Sequence, residues 1–579
     1  MRISPGFIFL ASMTSSSSSE ERRTWRSWMR RHPVWTVVGG LSAFVLLLSI
    51  VAAWVNFGQP WPAIRVSRET TYITEPLKPN GLPDYIAALN EMMREGVTPE
   101  TNAMVLLQKA VGPQPEGSDI EFGHAMSDEL GVPRLPVGGR YFVTANDFLN
   151  SLLAGLSEDE RRAGVEQFDE EFSAAYKGPW ARTDFPDIAD WIEQNRTPLR
   201  LVHEATMREE YFRPAILPAS GDASDRLLMR SRLPDVQLNS TMAKMLVSRA
   251  MWHLQEQRFS EARADLMTVH RLARHVCRGW TLVEVFVAMT IENQASTGDV
   301  QLALHPELPS GMAREYRREL GELPPVITTE ALARNVDRGE RMAALELITA
   351  MRDRPDLWDG FSGLYRMKPP PFLLDSTPRL TMDLNETLII VNNAFDQLVE
   401  AVGEQDESRR TALKSELERI RTEREKFIQQ LTQNPVSVFL AGPHGRGVIL
   451  GECFAFAHIH NGYLIHPNLQ ASATRLQRSL LALALGEYKA RHGRFPESLA
   501  KLVPEYLDET PFDAFAGREW IYRVSEDGQS ILTYSIGEDR VDDNGRTRDE
   551  PTGPKGDDIT IRVGTLSDAN EEPAAEVEP

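Results

Sequence analysis

Five aspartates lie close together near the C-terminal end of this 579-residue chain. Calcium is bound by about six to eight hard oxygen atoms, which an acidic loop rich in Gly and Asn can supply. Without a cation, the carboxylates would repel one another and favour disorder. The loop is not an EF-hand, since counting back from Gly545 puts Arg540 at the first ligand position. The sequence predicts either a calcium site or a solvated acidic turn at Asp539, Asp542, Asp543, Asp557 and Asp558.

A helix followed by short strands is predicted to position this loop. The helix has apolar residues at helical spacing and ends at His492-Gly493, and a short second helix is predicted to open at Phe495-Pro496. Three alternating segments, bounded by turn residues, are strand candidates: Trp520–Val524, Ser530–Ser535 and Asp558–Val563. Residues 471–564 are therefore predicted to form a compact α+β module.

Several segments of this module resemble the pseudopilins of type II secretion. They are Leu485–Pro496, Leu499–Leu507, Asp513–Gly517, Tyr534–Asp539 and Asp557–Ile559. In the major pseudopilin the last loop binds calcium. The resemblance therefore implies calcium ligands at Asp539, Asp557 and Asp558, with backbone carbonyls near Ser535 and Ile536, and with Asp542 and Asp543 as additional candidates. The N-terminus departs from the pseudopilin leader, because Ala11 stands where that family has Glu, so only the fold of the module carries over.

The segment Val34–Phe57 contains no ionisable side chain. At about 1.5 Å per residue it is long enough to cross a hydrocarbon core of about 30 Å. Five arginines precede it, which predicts a cytoplasmic N-terminus and an extracytoplasmic bulk: Arg22, Arg23, Arg26, Arg30 and Arg31. A cleaved signal peptide ending near Val51–Ala53 is the alternative, although the apolar run exceeds the usual length of such a segment.

The charge of the chain is strongly acidic. The whole chain carries a net charge of −20, and residues 1–33 carry +4, so the part beyond the apolar segment carries −24. Nucleic acid is therefore not an expected partner, because its phosphates would be repelled. Only two cysteines are present, Cys277 and Cys453, so the ectodomain is not a disulfide scaffold. A single disulfide between these two residues is the alternative to two free thiols.

The fold class predicted is mainly α, with one N-terminal transmembrane helix, an irregular helical ectodomain and the small C-terminal α+β module. Ala250–Gln257 and Phe259–Val276 form two amphipathic runs with a short break, which indicates an αα-hairpin. At this break Gln257 stands where a tetratricopeptide turn usually has Gly. The predicted divisions are 1–33 (cytoplasmic, disordered), 34–57 (membrane helix), 58–240 (helical), 241–470 (helical hairpins), 471–564 (module) and 565–579 (disordered acidic tail).

Three other patterns imitate known sites, and each has a structural alternative. Glycines after an apolar segment suggest a phosphate-binding loop, but their spacing misses G-x-G-x-x-G, so a loop between helices is the default. Three histidines near a cysteine suggest zinc, but buried or interfacial histidines are the alternative. A match to S-x-x-K suggests a serine nucleophile, but its leucines are needed for packing. The residues are Gly445, Gly447 and Gly451; His458, His460 and His466 with Glu452 and Cys453; and Ser498–Lys501.

The function predicted is that of a membrane-anchored envelope protein. The expected location is the bacterial inner membrane, with one spanning helix and the bulk in the periplasm. The expected role is interaction or scaffolding with other envelope proteins, with calcium stabilising the terminal module. Two alternatives are a component or cargo of a type II secretion-like system, and an envelope hydrolase whose catalytic residues meet only in the fold.

Overall fold

The chain is mostly helical, with a small sheet near its C-terminus. The computed structural model describes residues 32–58, 60–115, 118–217, 227–231, 233–354, 357, 381–433, 435–463, 465–548 and 554–564. In the N-terminal half the helices are α1 (Pro33–Ala53), α2 (Tyr85–Arg94), α3 (Ala103–Val111), α4 (Ile120–Glu129), α5 (Ala145–Leu152), α6 (Glu158–Lys177), α7 (Pro186–Gln194), α8 (Arg196–Thr206), α9 (Pro234–Gln255), α10 (Phe259–Val276) and α11 (Leu282–Ala303).

The helices continue after α11 and are followed by five strands. The helices are α12 (Ser310–Gly321), α13 (Thr329–Asn335), α14 (Arg341–Met351), α15 (Leu384–Gly403), α16 (Glu407–Gln433), α17 (Pro435–Leu440), α18 (Gly442–Tyr463) and α19 (Ile465–His492). The strands are β1 (Phe512–Asp513), β2 (Arg518–Glu519), β3 (Ile521–Val524), β4 (Ile531–Ser535) and β5 (Ile559–Val563).

The predicted apolar helix is present. Helix α1 continues through a π-helical turn at Trp54–Gly58, so the whole element spans Pro33–Gly58 with a mean hydropathy of 2.3 over its most apolar window. Within the described residues it is the one helix long and apolar enough to cross a membrane. None of the residues of α1 is buried against the rest of the protein. Its length and exposure suit either a membrane anchor or a signal sequence.

The predicted αα-hairpin is confirmed in α9 and α10. Helix α10 has the predicted bounds Phe259–Val276, whereas α9 begins earlier than predicted, at Pro234, and ends at Gln255 rather than Gln257. Gln257 has a φ of +58°, the left-handed conformation that a glycine adopts most readily. The turn is closed by the N–H of Arg258, which donates to the carbonyl of His253 at 2.8 Å. The residue type at this turn is unusual, but the backbone is the one the pattern predicts.

The C-terminal sheet follows the predicted strands closely. Strands β3, β4 and β5 form an antiparallel sheet in that order, while β1 and β2 form a separate two-stranded pair that the sequence did not predict. Helix α19 ends at His492, and Gly493 has a φ of +74°. The predicted second helix is wrong in type and length, since only the 3₁₀ turn Leu499–Leu502 forms. A single 3₁₀ turn of four residues is enough to bury the side chains of Leu499 and Leu502, because residues three apart lie on the same face of such a turn.

Helix α19 packs against α11 and α12 in the helical body. A Cβ on Gly486 would lie 2.0 Å from the carbonyl oxygen of Ala303, so only glycine allows this close approach. The carboxylate of Glu487 is buried and lies 2.8 Å from Arg314 and 3.2 Å from Arg317 of α12. The helix that begins the α+β module is thereby part of the core of the helical body.

Candidate cation site in the C-terminal loop

The acidic loop is closed by the pairing of β4 with β5. Ser535 lies opposite Ile559 in the last pair of this antiparallel ladder, so residues 536–558 leave β4 and enter β5 at the same end of the two strands. Residues 549–553 in the middle of this loop lie outside the described residues. The register brings the beginning and the end of the loop side by side, although about twenty residues separate them in the chain.

Three of the five predicted aspartates converge. One carboxylate oxygen from each lies within 4.8 Å of the others, and the three residues are Asp539, Asp543 and Asp557. Oδ2 of Asp557 accepts hydrogen bonds from the N–H groups of Glu538 at 3.0 Å and Asp539 at 3.2 Å. Oδ2 of Asp543 in turn accepts from the N–H of Asp557 at 3.2 Å. Backbone donors therefore fix two of the three carboxylates.

Gly537 makes room for this cluster. Its φ is +77°, and a Cβ at this position would lie 2.4 Å from Oδ1 of Asp557 and 2.5 Å from the backbone oxygen of Asp557. Any larger residue would push the Asp557 carboxylate away from its neighbours and would also strain the backbone. The glycine at this position is thus a requirement of the site's geometry.

Asp542 and Asp558 hold the loop rather than join the group of three. Oδ1 of Asp542 accepts from the hydroxyl of Tyr534 at 3.0 Å and from the N–H of Asn544 at 2.9 Å. Oδ2 of Asp558 accepts from the N–H of Gly545 at 2.7 Å, and this side chain is 3% exposed. The structure therefore places these two carboxylates in the supporting turns.

The site concentrates negative charge in a partly desolvated place. Burial raises the pKa of Asp557, and the carboxylate of Asp539 raises it further. Burial raises the pKa of Asp558 to about 7. The guanidinium of Arg548 lies 3.6 Å from Asp557, and that of Arg546 lies 3.7 Å from Asp543. Both distances are longer than a charge-assisted hydrogen bond, so these arginines compensate the charge through space without forming a short hydrogen bond to the carboxylates.

The residues present fit a hard divalent cation. Every donor in the group is a carboxylate oxygen, the ligand type that calcium and magnesium take and that zinc uses less often. Within this group, Oδ1 of Asp557 is buried and has no hydrogen-bond partner among the described residues. A buried acceptor without a donor costs about 1–3 kcal/mol, which a bound cation would recover.

No family model, curated protein or solved structure matches this chain.

The glycines of the suspected phosphate loop lie inside helix α18. A Cβ on Gly447 would lie 2.1 Å from the carbonyl oxygen of Asp383, and a Cβ on Gly451 would lie 2.9 Å from Ile390. These two glycines, four residues apart, let α18 approach α15 closely. Gly445 is also in this helix. The predicted loop between helices is wrong as well, because Gly442–Tyr463 is helical and the preceding Pro435–Leu440 is a helix rather than a strand.

The described part of the suspected zinc cluster is engaged in packing. The ring of His458 packs against that of Phe395 at an interplanar angle of 48°, with ring centroids 4.8 Å apart. Cys453 and Cys277 are both buried and unpaired, so the disulfide that the sequence allowed between them does not form. Glu452 accepts from the guanidinium of Arg424 at 2.7 Å. The side chains of His460 and His466 lie outside the described residues.

The S-x-x-K match lies on the 3₁₀ turn before β1. Ser498 and Lys501 are both exposed, whereas Leu499 and Leu502 are buried. The alternative reading, in which the leucines explain the pattern, therefore agrees with the structure.

A surface cleft of about 1300 Å³ lies beside α2. Some of its polar lining is paired or capping: Lys78 binds Glu346 at 3.1 Å, Asp84 caps α2, and Arg94 binds Glu129. The described lining contains no Ser, Cys or His. It thus lacks the nucleophile and base that an envelope hydrolase of the serine or cysteine type requires.

Sequence reasoning missed a buried ionic group between α10, α11 and α12. Nδ1 of His270 lies 2.9 Å from Glu292, and Nε2 lies 2.8 Å from Asp299. The hydroxyl of Tyr316 donates to Asp299 at 2.5 Å, and Arg274 donates to Glu292 at 3.1 Å. One signal was available in the sequence. His270 and Arg274 are four residues apart on α10, so they lie on the same face of the helix, and apolar residues of the buried face have the same spacing. The group lies in the core, which suits a structural role.

Proposed function

We propose that this chain is a single-pass protein of a bacterial inner membrane, with its bulk in the periplasm. One observation carries the proposal: α1 contains no ionisable side chain, and none of its residues is buried against the rest of the protein. An exposed apolar helix of this size is not stable in water, and a lipid bilayer is the environment that buries it. The arginines that precede α1 favour a cytoplasmic N-terminus.

The periplasmic part acts as an interaction scaffold for other envelope proteins. Its strongly acidic surface supports a protein or cation partner rather than nucleic acid. Its helices bury an extensive core, and the described cleft offers no nucleophile and base. Within the described residues, a packed helical body whose cleft has no serine, cysteine or histidine favours recognition over hydrolysis of the serine or cysteine type.

A reporter fused after Pro579 tests the topology. We expect a phosphatase that is active only outside the cytosol to be active in this fusion, because the positive-inside rule directs the bulk across the membrane. Reversing the charge of the arginines before α1 should reduce that activity. The apparent mass of the tagged chain distinguishes an uncleaved anchor from a signal peptide cut near Ala53. The proposal would be contradicted if the phosphatase fusion were inactive and a fluorescent protein that matures only in the cytosol, fused at the same position, were fluorescent.

The terminal loop binds calcium and is rigidified by it. The resemblance of the module to a pseudopilin suggests this ion, and the converging oxygens of Asp539, Asp543 and Asp557 support it. Calcium accepts irregular coordination that includes backbone carbonyls and water, whereas magnesium requires near-octahedral geometry. The ion would neutralise carboxylates that otherwise repel, and would hold the two ends of the loop together.

Hydrogen exchange of residues 536–558 in the full-length protein tests the calcium site. At about 100 times its dissociation constant, calcium is expected to stabilise the closed loop by about 2.7 kcal/mol, and so to slow exchange relative to chelator. Asp557→Asn should abolish this difference, because Asp557 is the most buried carboxylate of the three. Asp508→Asn, at an exposed site outside the loop, is the matched control and should retain it. Identical exchange of the unaltered protein in calcium and in chelator would refute calcium binding.

A further inference from the structure

The C-terminal end of the apolar helix is fastened to the ectodomain by buried hydrogen bonds. Asn56, in the last helical turn, is 4% exposed, and its Oδ1 accepts from Nη1 of Arg446 at 2.5 Å. The N–H of Thr381 donates to the backbone oxygen of Asn56 at 2.7 Å. Arg446 is fully buried and also donates from Nε and Nη2 to the carbonyl of Thr381 at 2.8 and 2.6 Å. A charged group bonded in this way is costly to separate from its partners.

The residues that follow the apolar helix are held as well. Asn385, at the start of α15, accepts from the N–H of Arg65 at 2.8 Å and donates to the carbonyl of Ala63 at 3.0 Å. Ile64 is buried between these two contacts. Because residues on both sides of position 59 are bonded to the same helical body, the body cannot swing freely about the end of α1.

Helix α17, with the exposed side chain of Leu440, lies beside this junction. Helix α17 places the ring of Phe439 6.3 Å from the ring of Phe57, the residue that ends the apolar run. Next to it, Leu440 is 75% exposed. Trp54 and Phe57 are 60% and 42% exposed on the same end of the apolar helix. Apolar and aromatic side chains therefore surround the point where the spanning segment ends.

We propose that α17 rests on the periplasmic surface of the phospholipid bilayer and forms a second membrane contact beside the anchor. The inference depends on the membrane anchorage proposed above and adds a fixed orientation of the ectodomain. A bilayer is the partner that fits, because the spanning segment must leave the hydrocarbon at Phe57, and Phe439, the neighbour of Leu440 in the chain, lies beside Phe57. Apolar and aromatic side chains are stabilised in this interfacial layer, where exposed cations such as Arg65 can meet lipid phosphates.

Fluorophores attached to single cysteines in the full-length protein test this contact. The protein is placed in nanodiscs of phosphatidylethanolamine and phosphatidylglycerol with brominated acyl chains, which quench a label in contact with lipid. The labelled variants are Leu440→Cys in α17, Leu46→Cys in the middle of α1, and Val541→Cys in the C-terminal loop. The natural cysteines Cys277 and Cys453 are buried, so the introduced cysteine takes the label. All three sites are exposed in the folded chain, so the changes should not unfold it.

We expect bromolipid to quench the labels at 46 and 440 and to leave the label at 541 unquenched. Quenching at 46 alone would overturn the bilayer contact of α17 while leaving the anchorage intact. Absence of quenching at 46 would instead overturn the anchorage on which the inference depends. A label at 440 that is shielded from aqueous iodide but not quenched by bromolipid would mean that a second protein copy covers α17, and would also overturn the inference.

Discussion

Replacing His270 with alanine is expected to lower the free energy of unfolding by about 3–5 kcal/mol, the usual cost of removing one partner from a buried ionic group. The imidazole lies between Glu292 and Asp299, and all three side chains are fully buried. Without it, each of the two buried carboxylates loses its hydrogen bond to the imidazole and the positive charge they share. The readout is the midpoint of chemical denaturation, followed by the helical circular dichroism signal.

The same group should make stability depend on pH. Burial by itself lowers the pKa of His270, but the two carboxylates outweigh burial and raise it to about 9. A histidine with a raised pKa stabilises the fold fully below its unfolded pKa of about 6.5, and this contribution is lost as the pH rises through about 9. The difference in melting temperature between the unaltered protein and His270→Gln should therefore shrink between pH 6.5 and pH 9.

His444→Ala is the control for both measurements. His444 has an exposed side chain, so its replacement should change stability by less than about 0.5 kcal/mol. If His270→Ala were as stable as the unaltered protein, the carboxylates would have to be neutral in the native state, and the ionic description of this group would be incorrect. A pH-independent difference for His270→Gln would lead to the same conclusion.

Replacing Arg213 with alanine is expected to destabilise the protein by about 3–5 kcal/mol. Its fully buried guanidinium forms a bidentate pair with Asp235, with both N–O distances at 2.7 Å, and lies 3.9 Å from Glu284. Asp235 lies in the first turn of α9 and Glu284 in the first turn of α11, so the arginine ties the segment after α8 to both helices. Its loss would leave two buried carboxylates without their shared cation. Denaturant midpoints measure the change.

Arg200→Ala is the matched control for Arg213→Ala. Arg200 pairs with Glu204 on the exposed face of α8, where an ion pair contributes at most about 0.5 kcal/mol. Moderate acidity should partly restore Arg213→Ala, because burial already raises the pKa of Glu284, and protonation removes its uncompensated charge. Equal stability of the two variants would show that the buried pair does not stabilise the native state.

Local patterns in the sequence were sufficient for the elements with strong periodicity. The apolar run at Val34–Phe57, the break between α9 and α10, and the strands around Gly528 all appear close to their predicted positions. Each depends on side chains within a few residues of one another, and on the backbone preference of a turn. The strand and loop predicted within Ser437–Gly451 are wrong, because glycines that serve helix packing look like loop residues when the facing helix is unknown.

Sequence composition predicted that the acidic loop could hold a cation, but it did not determine which carboxylates meet. The pairing of Ser535 with Ile559 decides that Asp539 and Asp557 are neighbours. The turn around Asn544 then draws Asp542 towards Tyr534, away from the group of three. The number of carboxylates in the loop is known from the sequence, whereas the register of β4 against β5 determines where they lie relative to one another.

By itself the sequence determined an apolar N-terminal helix, a mainly helical body, a short antiparallel sheet and an acidic loop between two of its strands. Only the tertiary structure decided the surroundings of His270, the junction of Asn56 with Arg446, and the choice of three aspartates in the loop. The physical reason is distance along the chain. Asn56 and Arg446 are 390 residues apart, and a contact between such residues leaves no periodic signal in either segment.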